Sequence, residues 1–163
     1  TRNAIETVVW NLGGTASYSS SSNGLASHWY SYERGTKVHS GRPTTWIGKI
    51  GLMYPSDYGY ATSGGSTSDR QACLAKELYS WDSSSVSDCK NNDYLFKLSY
   101  SQWTLAPDSS SAYSVFSVFA NGWASYVNAD YAYGVRPAAF LKFNISIMAG
   151  TGTSSEPYQL KVN

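Results

Sequence analysis

Apolar side chains in the first dozen residues fall at Ala4, Ile5, Val8, Val9 and Leu12, a helical spacing of i, i+1, i+4, i+5 and i+8. A helix is therefore predicted over residues 2–12, with Gly13-Gly14 as its stop. Residues 18–24 (YSSSSNG) predict a flexible loop. Residues 46–54 (WIGKIGLMY) mix β-branched and apolar side chains and predict a strand. Pro55-Ser56-Asp57 then opens a short helix to about Thr62, with Ser56 as N-cap and Gly64-Gly65 ending it. A second helix is predicted over 69–81, capped by Ser68 or Asp69 and carrying Leu74, Leu78 and Trp81 on one face. Residues 83–87 predict a polar loop, and 94–98 a short strand or a helical turn.

After Pro107 the pattern turns to β. Two apolar-rich runs, 113–119 and 123–128, flank Ala120-Asn121-Gly122, and Asn-Gly in that setting is a strong hairpin signal. Residues 135–141 predict a buried strand, with terminal strands at 145–147 and 158–162 joined by the turn-rich 150–156. Helices early and hairpins late predict an α+β fold. No repeat of fixed period interrupts it, and a length of 163 residues suits one domain spanning 1–163.

Composition sharpens this picture. Charged residues make up 14% and the net charge is +1, so nothing marks a nucleic-acid partner or an anionic membrane surface. Fourteen Tyr, six Trp and five Phe accompany abundant Ser and Gly, the composition of an exported β-rich domain and of an extracellular or cell-surface location. No run reaches transmembrane length, so direct membrane insertion by this segment is not expected. The chain starts at Thr1 without Met, and an N-terminal segment, with any export signal or anchor, is expected to have been removed. Cys73 and Cys89 are expected to form a disulfide in an oxidising compartment; two buried thiols are the alternative. With two Cys and the distant His28 and His39, no structural metal site is expected.

Candidate chemistry concentrates in residues 103–141, where Asp108, Asp130 and Arg136 carry the only charges among Ser, Tyr, Phe, Asn and Trp. Tyr and Trp give large, stiff contact area, and Ser, Asn and Gly give adaptable hydrogen bonds. The segment lacks the titratable set that a catalytic site uses. A ligand-binding module is expected.

Three motifs carry a family resemblance. They are Leu52-Met53-Tyr54-Pro55-Ser56-Asp57-Tyr58-Gly59-Tyr60-Ala61, Trp103-Thr104-Leu105-Ala106-Pro107 and Gly134-Val135-Arg136-Pro137-Ala138. In order and spacing the chain resembles the C-type-lectin fold, in the branch shared with formylglycine-generating-enzyme-like domains and with bacterial surface domains ending in Gly-Val-Arg-Pro-Ala. The resemblance implies two helices packed on a small twisted antiparallel sheet with long ordered loops. That fold is also used by the variable proteins of diversity-generating retroelements, in which solvent-facing codons near the C-terminus are rewritten within a fixed frame. On this template Val115, Val118, Gly122, Val127, Ala129, Gly134, Val135, Arg136 and Pro137 are frame. Ser114, Ser117, Phe119, Ala120, Asn121, Trp123, Ser125, Tyr126, Asn128, Asp130, Tyr131 and Tyr133 would form the binding face, its ligand a protein or a surface glycan. The competing account is an aromatic β-core whose polar alternation faces water.

Other residues read more blandly. Arg136 is expected to brace backbone carbonyls or a carboxylate, and Asp57 to cap or brace a loop. The Glu-Pro-Asn and Trp-Asn-Asp motifs of calcium-dependent lectins are absent, for Glu156-Pro157 is followed by Tyr158. No cysteine follows Cys89, so the reactive late cysteine pair of formylglycine-generating enzymes has no counterpart. Asn144-Ile145-Ser146 formally matches a glycosylation acceptor and carries no weight beside bacterial likenesses. No catalytic residue and no cofactor is assigned. A structural surface subunit, such as a pilin-like head, and an unrecognised enzyme stay as rival functions.

Overall fold

The computed structural model describes residues 4–19, 23–66, 68–96, 100–153 and 155–163. Among them, four short α-helices and four small antiparallel sheets give an α+β structure. The N-terminal run is a strand, β1 (Val8–Asn11), paired with β2 (Thr45–Gly48), and the helix predicted there does not form among residues 4–12. Trp10 explains why. Its indole is buried, donates Nε1–H to the Gly48 carbonyl at 3.0 Å, and lies so close to Gly51 that a Cβ there would meet it at 2.7 Å. Val8-Val9, β-branched, suit the extended form.

The strand predicted over 46–54 divides at Lys49 into β2 and β3 (Ile50–Leu52), and β3 pairs with β7 (Pro137–Ala139) in another sheet. Helix α2 (Pro55–Ala61) follows as expected, but its N-cap is Tyr54, not Ser56. Asp57 reaches back to accept the Tyr54 N–H at 2.8 Å, the capping role foreseen for it. The helix predicted over 69–81 is broken. Its first turn, α3 (Arg70–Leu74), is capped by Asp69, which accepts from Ala72 N at 2.6 Å. The chain then leaves the helix to pair with residues 24–26, where Ala26 N donates to Lys76 O and Leu78 N to Gly24 O, before a 3₁₀ turn at Leu78–Ser80. The polar stretch after it holds a 3₁₀ turn (Ser84–Val86) and α4 (Ser87–Asn91). Of the strand or turn predicted over 94–98, residues 97 and 98 lie outside the described residues, as do 2, 3, 20–22 and 154 of the other predicted segments.

β4 (Gln102–Pro107), β5 (Ser114–Val118) and β6 (Ala124–Asn128) form the three-stranded sheet in the order β4-β5-β6. The predicted hairpin is β5–β6, and its turn places Gly122 at φ +98°, where a side chain would be strained. The inner face of this sheet, with Ala106, Phe116, Val118 and Ala124, covers a core of Trp29, Tyr58, Leu78 and Trp81. Trp29 comes from α1 (Trp29–Glu33) and meets the Phe116 ring edge-on at 4.6 Å. The Cys73–Cys89 disulfide forms as expected, joining α3 to α4 within this core with the Cα atoms 5.5 Å apart. Closing a loop of this length stabilises by about 3 kcal/mol in the chain-entropy model.

The C-terminal strands β8 (Ile145–Ala149) and β9 (Gln159–Val162) pair with each other. The run 135–141 is not the buried strand predicted: three of its residues form β7, and Val135, Phe140 and Leu141 are exposed. No helix among the described residues is long and apolar enough to cross a membrane.

Candidate functional site

The three segments singled out in the sequence converge in space. Trp103 N donates to Gly134 O at 2.9 Å, and Gly134 N returns a bond to Ser101 O at 2.9 Å. Leu52 pairs with Pro137, and Met53 O accepts from Leu105 N at 2.9 Å. Arg136 locks the junction, its Nε donating to Gln102 Oε1 and its Nη2 to Leu95 O, both at 3.0 Å. It braces the fold, as its planar fork suggests.

Around this frame runs a connected chain of rings. Trp103 lies 5.0 Å from Tyr133, which touches Tyr131 at 5.8 Å and Phe119 at 5.8 Å. Phe119 meets Trp123 at 5.3 Å, and Trp123 meets Tyr79 at 4.9 Å. Tyr18 continues it at 5.4 Å from Tyr79 and ends it at 5.1 Å from Tyr126. Each spacing lies in the range where aromatic pairs attract. Tyr131 and Tyr126 are 55% and 43% exposed, whereas Trp123, Phe119, Tyr133 and Trp103 are half-buried by their neighbours. The chain thus has fixed members, a free end at Tyr126 and a free branch at Tyr131.

The predicted face divides against this geometry. Phe119, Trp123, Tyr126, Tyr131 and Tyr133 belong to the ring chain, and Ala120, Asn128 and Asp130 are exposed near its sequence. Ser114, Ser117 and Ser125 are corrected to the interior, all at 6% exposure or less. Their register explains it. Ser117 and Ser125 stand in one cross-strand row with Trp103, and small hydroxymethyl groups beside large rings are lost from solvent. Ser114 sits at the start of β5, its hydroxyl accepting from Ser111 Oγ at 2.9 Å.

Asn121 is exposed but structurally committed. Its carbonyl accepts from Lys90 Nζ at 2.7 Å and its side-chain amide donates to Asp82 Oδ2 at 3.2 Å. Beside it, the Gly122 carbonyl accepts the buried Tyr58 hydroxyl at 2.7 Å. The hairpin tip is therefore pinned from α2, α4 and residue 82. Among the frame residues, Val135 is 67% exposed, so frame and face do not follow exposure position by position.

Among the described residues Glu33, Asp93 and Asp108 are buried, which was not foreseen, and burial raises the pKa of the first two. Glu33 is fully buried, accepts both the backbone N–H and the hydroxyl of Ser56, and lies 3.3 Å from Arg34 Nη1. Burial pushes its pKa to about 8 against the lowering effect of the Ser56 hydrogen bonds. Asp93 is raised to about 7, again by burial, while bonds from Leu95 and Phe96 and the charge of Arg136 pull it down. The YERG run gave no sequence signal for this, since Glu33 alone resembles a surface residue beside Arg34. Glu33 grips the first turn of α2, and Ser56, the expected cap, is its partner. Among the described residues no group of three His, Cys, Asp or Glu is placed to hold a metal ion.

No family model matches the chain, and no curated protein or solved structure matches it.

Proposed function

We propose that this chain is a receptor-recognition domain of C-type-lectin type, presented outside the cell, whose ring chain from Trp103 to Tyr126 binds a protein or a surface glycan. One observation carries it: seven aromatic side chains touch in series from Trp103 to Tyr126 on a braced scaffold, Tyr131 branches from Tyr133, and Tyr126 and Tyr131 are exposed. Rigid aromatic anchors lose little entropy on binding, and a few such residues dominate most interfaces. The convergence of the three motif segments around Arg136 supports the lectin-type architecture. The disulfide and the lack of a membrane-spanning helix among the described residues fit an exported setting. If the protein is diversified, the exposed positions Tyr126, Asn128, Asp130 and Tyr131 tolerate change, and Ser114, Ser117 and Ser125 do not.

The test is a panel of immobilised surface glycans and extracellular proteins, probed with wild type, Tyr131→Ala and Tyr126→Ala. Loss of at least about 1 kcal/mol in binding with an unchanged melting temperature supports the proposal. Full retention by both variants overturns it.

A second function, a packing subunit of a surface assembly, is favoured by the C-terminal hairpin. Ile145 pairs with Val162 and Ile147 with Leu160, so one face of β8–β9 is apolar, and Ile147, Leu160 and Val162 stand exposed. Self-association at micromolar concentration in sedimentation supports this alternative.

A further inference from the structure

A groove separate from the ring chain lies on the outer face of β4 and β5. It has a volume of about 270 Å³, and shares no residue with that chain. Its floor is apolar. Leu105 and Pro107 of β4 point outward between the inward Thr104 and Ala106, with Val115 from β5, and Leu12 and Pro43 close the other side. The far wall is the loop carrying His39 and Arg42, held at its base by the Leu12 N–H bond to Thr44 O at 2.8 Å. Arg42 spans the opening and donates Nη2–H to the Ala112 carbonyl at 2.8 Å. A guanidinium has five N–H groups, and this bond uses one. Among the described residues no Asp or Glu lines the groove.

From this we infer a binding site for a small apolar carboxylate, its hydrocarbon body between Leu105, Pro107 and Val115 and its anionic end on Arg42. Three features choose that ligand. A cavity of about 150 Å³ is known to accept benzene, so this one has room for a bicyclic ring. Among the described residues Arg42 has no ion-pair partner, so its charge prefers an anion, and its planar fork matches a carboxylate. A peptide is less favoured, because Pro43 and Pro107 offer no backbone N–H and the Ser111 hydroxyl is already engaged, leaving few partners besides His39 and Tyr113. A backbone buried here would leave polar groups unpaired. The inference is independent of the recognition proposed for the ring chain.

The experiment titrates 2-naphthoate and its uncharged counterpart 2-naphthalenemethanol into the full chain, followed by amide NMR. Saturable shifts at Leu12, Leu105, Val115 and Ala129 are expected for both probes. Naphthoate should bind about fivefold tighter at low salt, in the millimolar range or better. Arg42→Gln should abolish that preference and change the alcohol's affinity less than about twofold. Ala129→Trp, at an exposed alanine on the groove wall, should remove both. Equal affinity of the two probes for wild type overturns the inference, as do shifts centred on Trp123 and Tyr131. Loss of both probes in Arg42→Gln also overturns it, since the arginine then holds the wall and not the anion.

Discussion

The two C-terminal hairpins are built alike and held differently. β5–β6 and β8–β9 are both antiparallel pairs of short strands. The first buries Phe116, Val118 and Ala124 against the core, and its tip is fastened by Tyr58, Lys90 and Asp82. The second leaves Ile147, Met148, Leu160 and Val162 exposed, and its bonds beyond the ladder join near neighbours such as Asn144 and Asn163. An isolated two-stranded hairpin is marginal in water. Pairing alone therefore does not decide which aromatic residues can serve as fixed anchors; the layer behind the strands does.

The sharpest way to break this comparison is to empty the core beneath β5. Phe116→Ala should cost about 3–5 kcal/mol in denaturant unfolding, because the ring fills space against Trp29 and Tyr18. A loss under about 1 kcal/mol would mean the sheet is not anchored there. Next comes the pin. Tyr58→Phe leaves the Gly122 carbonyl without its buried donor, and should cost about 1–3 kcal/mol. Amide exchange should quicken first across residues 119–124, with no change in β8–β9.

pH probes the buried carboxyls that lie outside both hairpins. In the folded protein Glu33 holds its proton up to about 8 against an ordinary 4.5, and Asp93 to about 7 against 3.8, both because burial disfavours the charge. The folded state therefore binds more protons than the unfolded chain between those values. Stability contributed by these groups is full below about pH 4 and falls as pH rises, until about 7 for Asp93 and 8 for Glu33. Unfolding free energy should drop by at least about 1 kcal/mol from pH 5 to 8, and Glu33→Gln should flatten that slope. A level wild-type profile would show that Glu33 is not buried as a carboxylic acid. The smallest effect belongs to the loose hairpin, where Ile147→Thr should stay within about 0.5 kcal/mol of wild type.

Local chemistry made some of this legible in the sequence. Asn121-Gly122 between apolar runs located the β5–β6 turn, Asp69 and Asp57 fell at helix starts, and the two cysteines paired. What failed depended on distant partners. Ala4, Ile5, Val8, Val9 and Leu12 fit a helical period, yet Thr45–Gly48 supplied an edge, and the indole of Trp10, outside that pattern, became the buried group. In the same way alternation along β5 promised one wet face, but Phe116, Ser117 and Val118 are all buried because both sides of the strand are covered. The exposed members of the ring chain, Tyr126 and Tyr131, were readable as large side chains at polar positions. The contacts of Tyr126 with Tyr18 and of Trp123 with Tyr79 were not, since those partner rings arrive from far upstream.

Ser117 and Ser125, hidden in the row of Trp103, have a use that exposure would have denied them. A bulkier residue at Ser117, the direct cross-strand neighbour of Trp103, would have no room without displacing what surrounds it. Small size at these two places is thus part of what keeps the outer relief constant, and the freedom to vary lies with the side chains above.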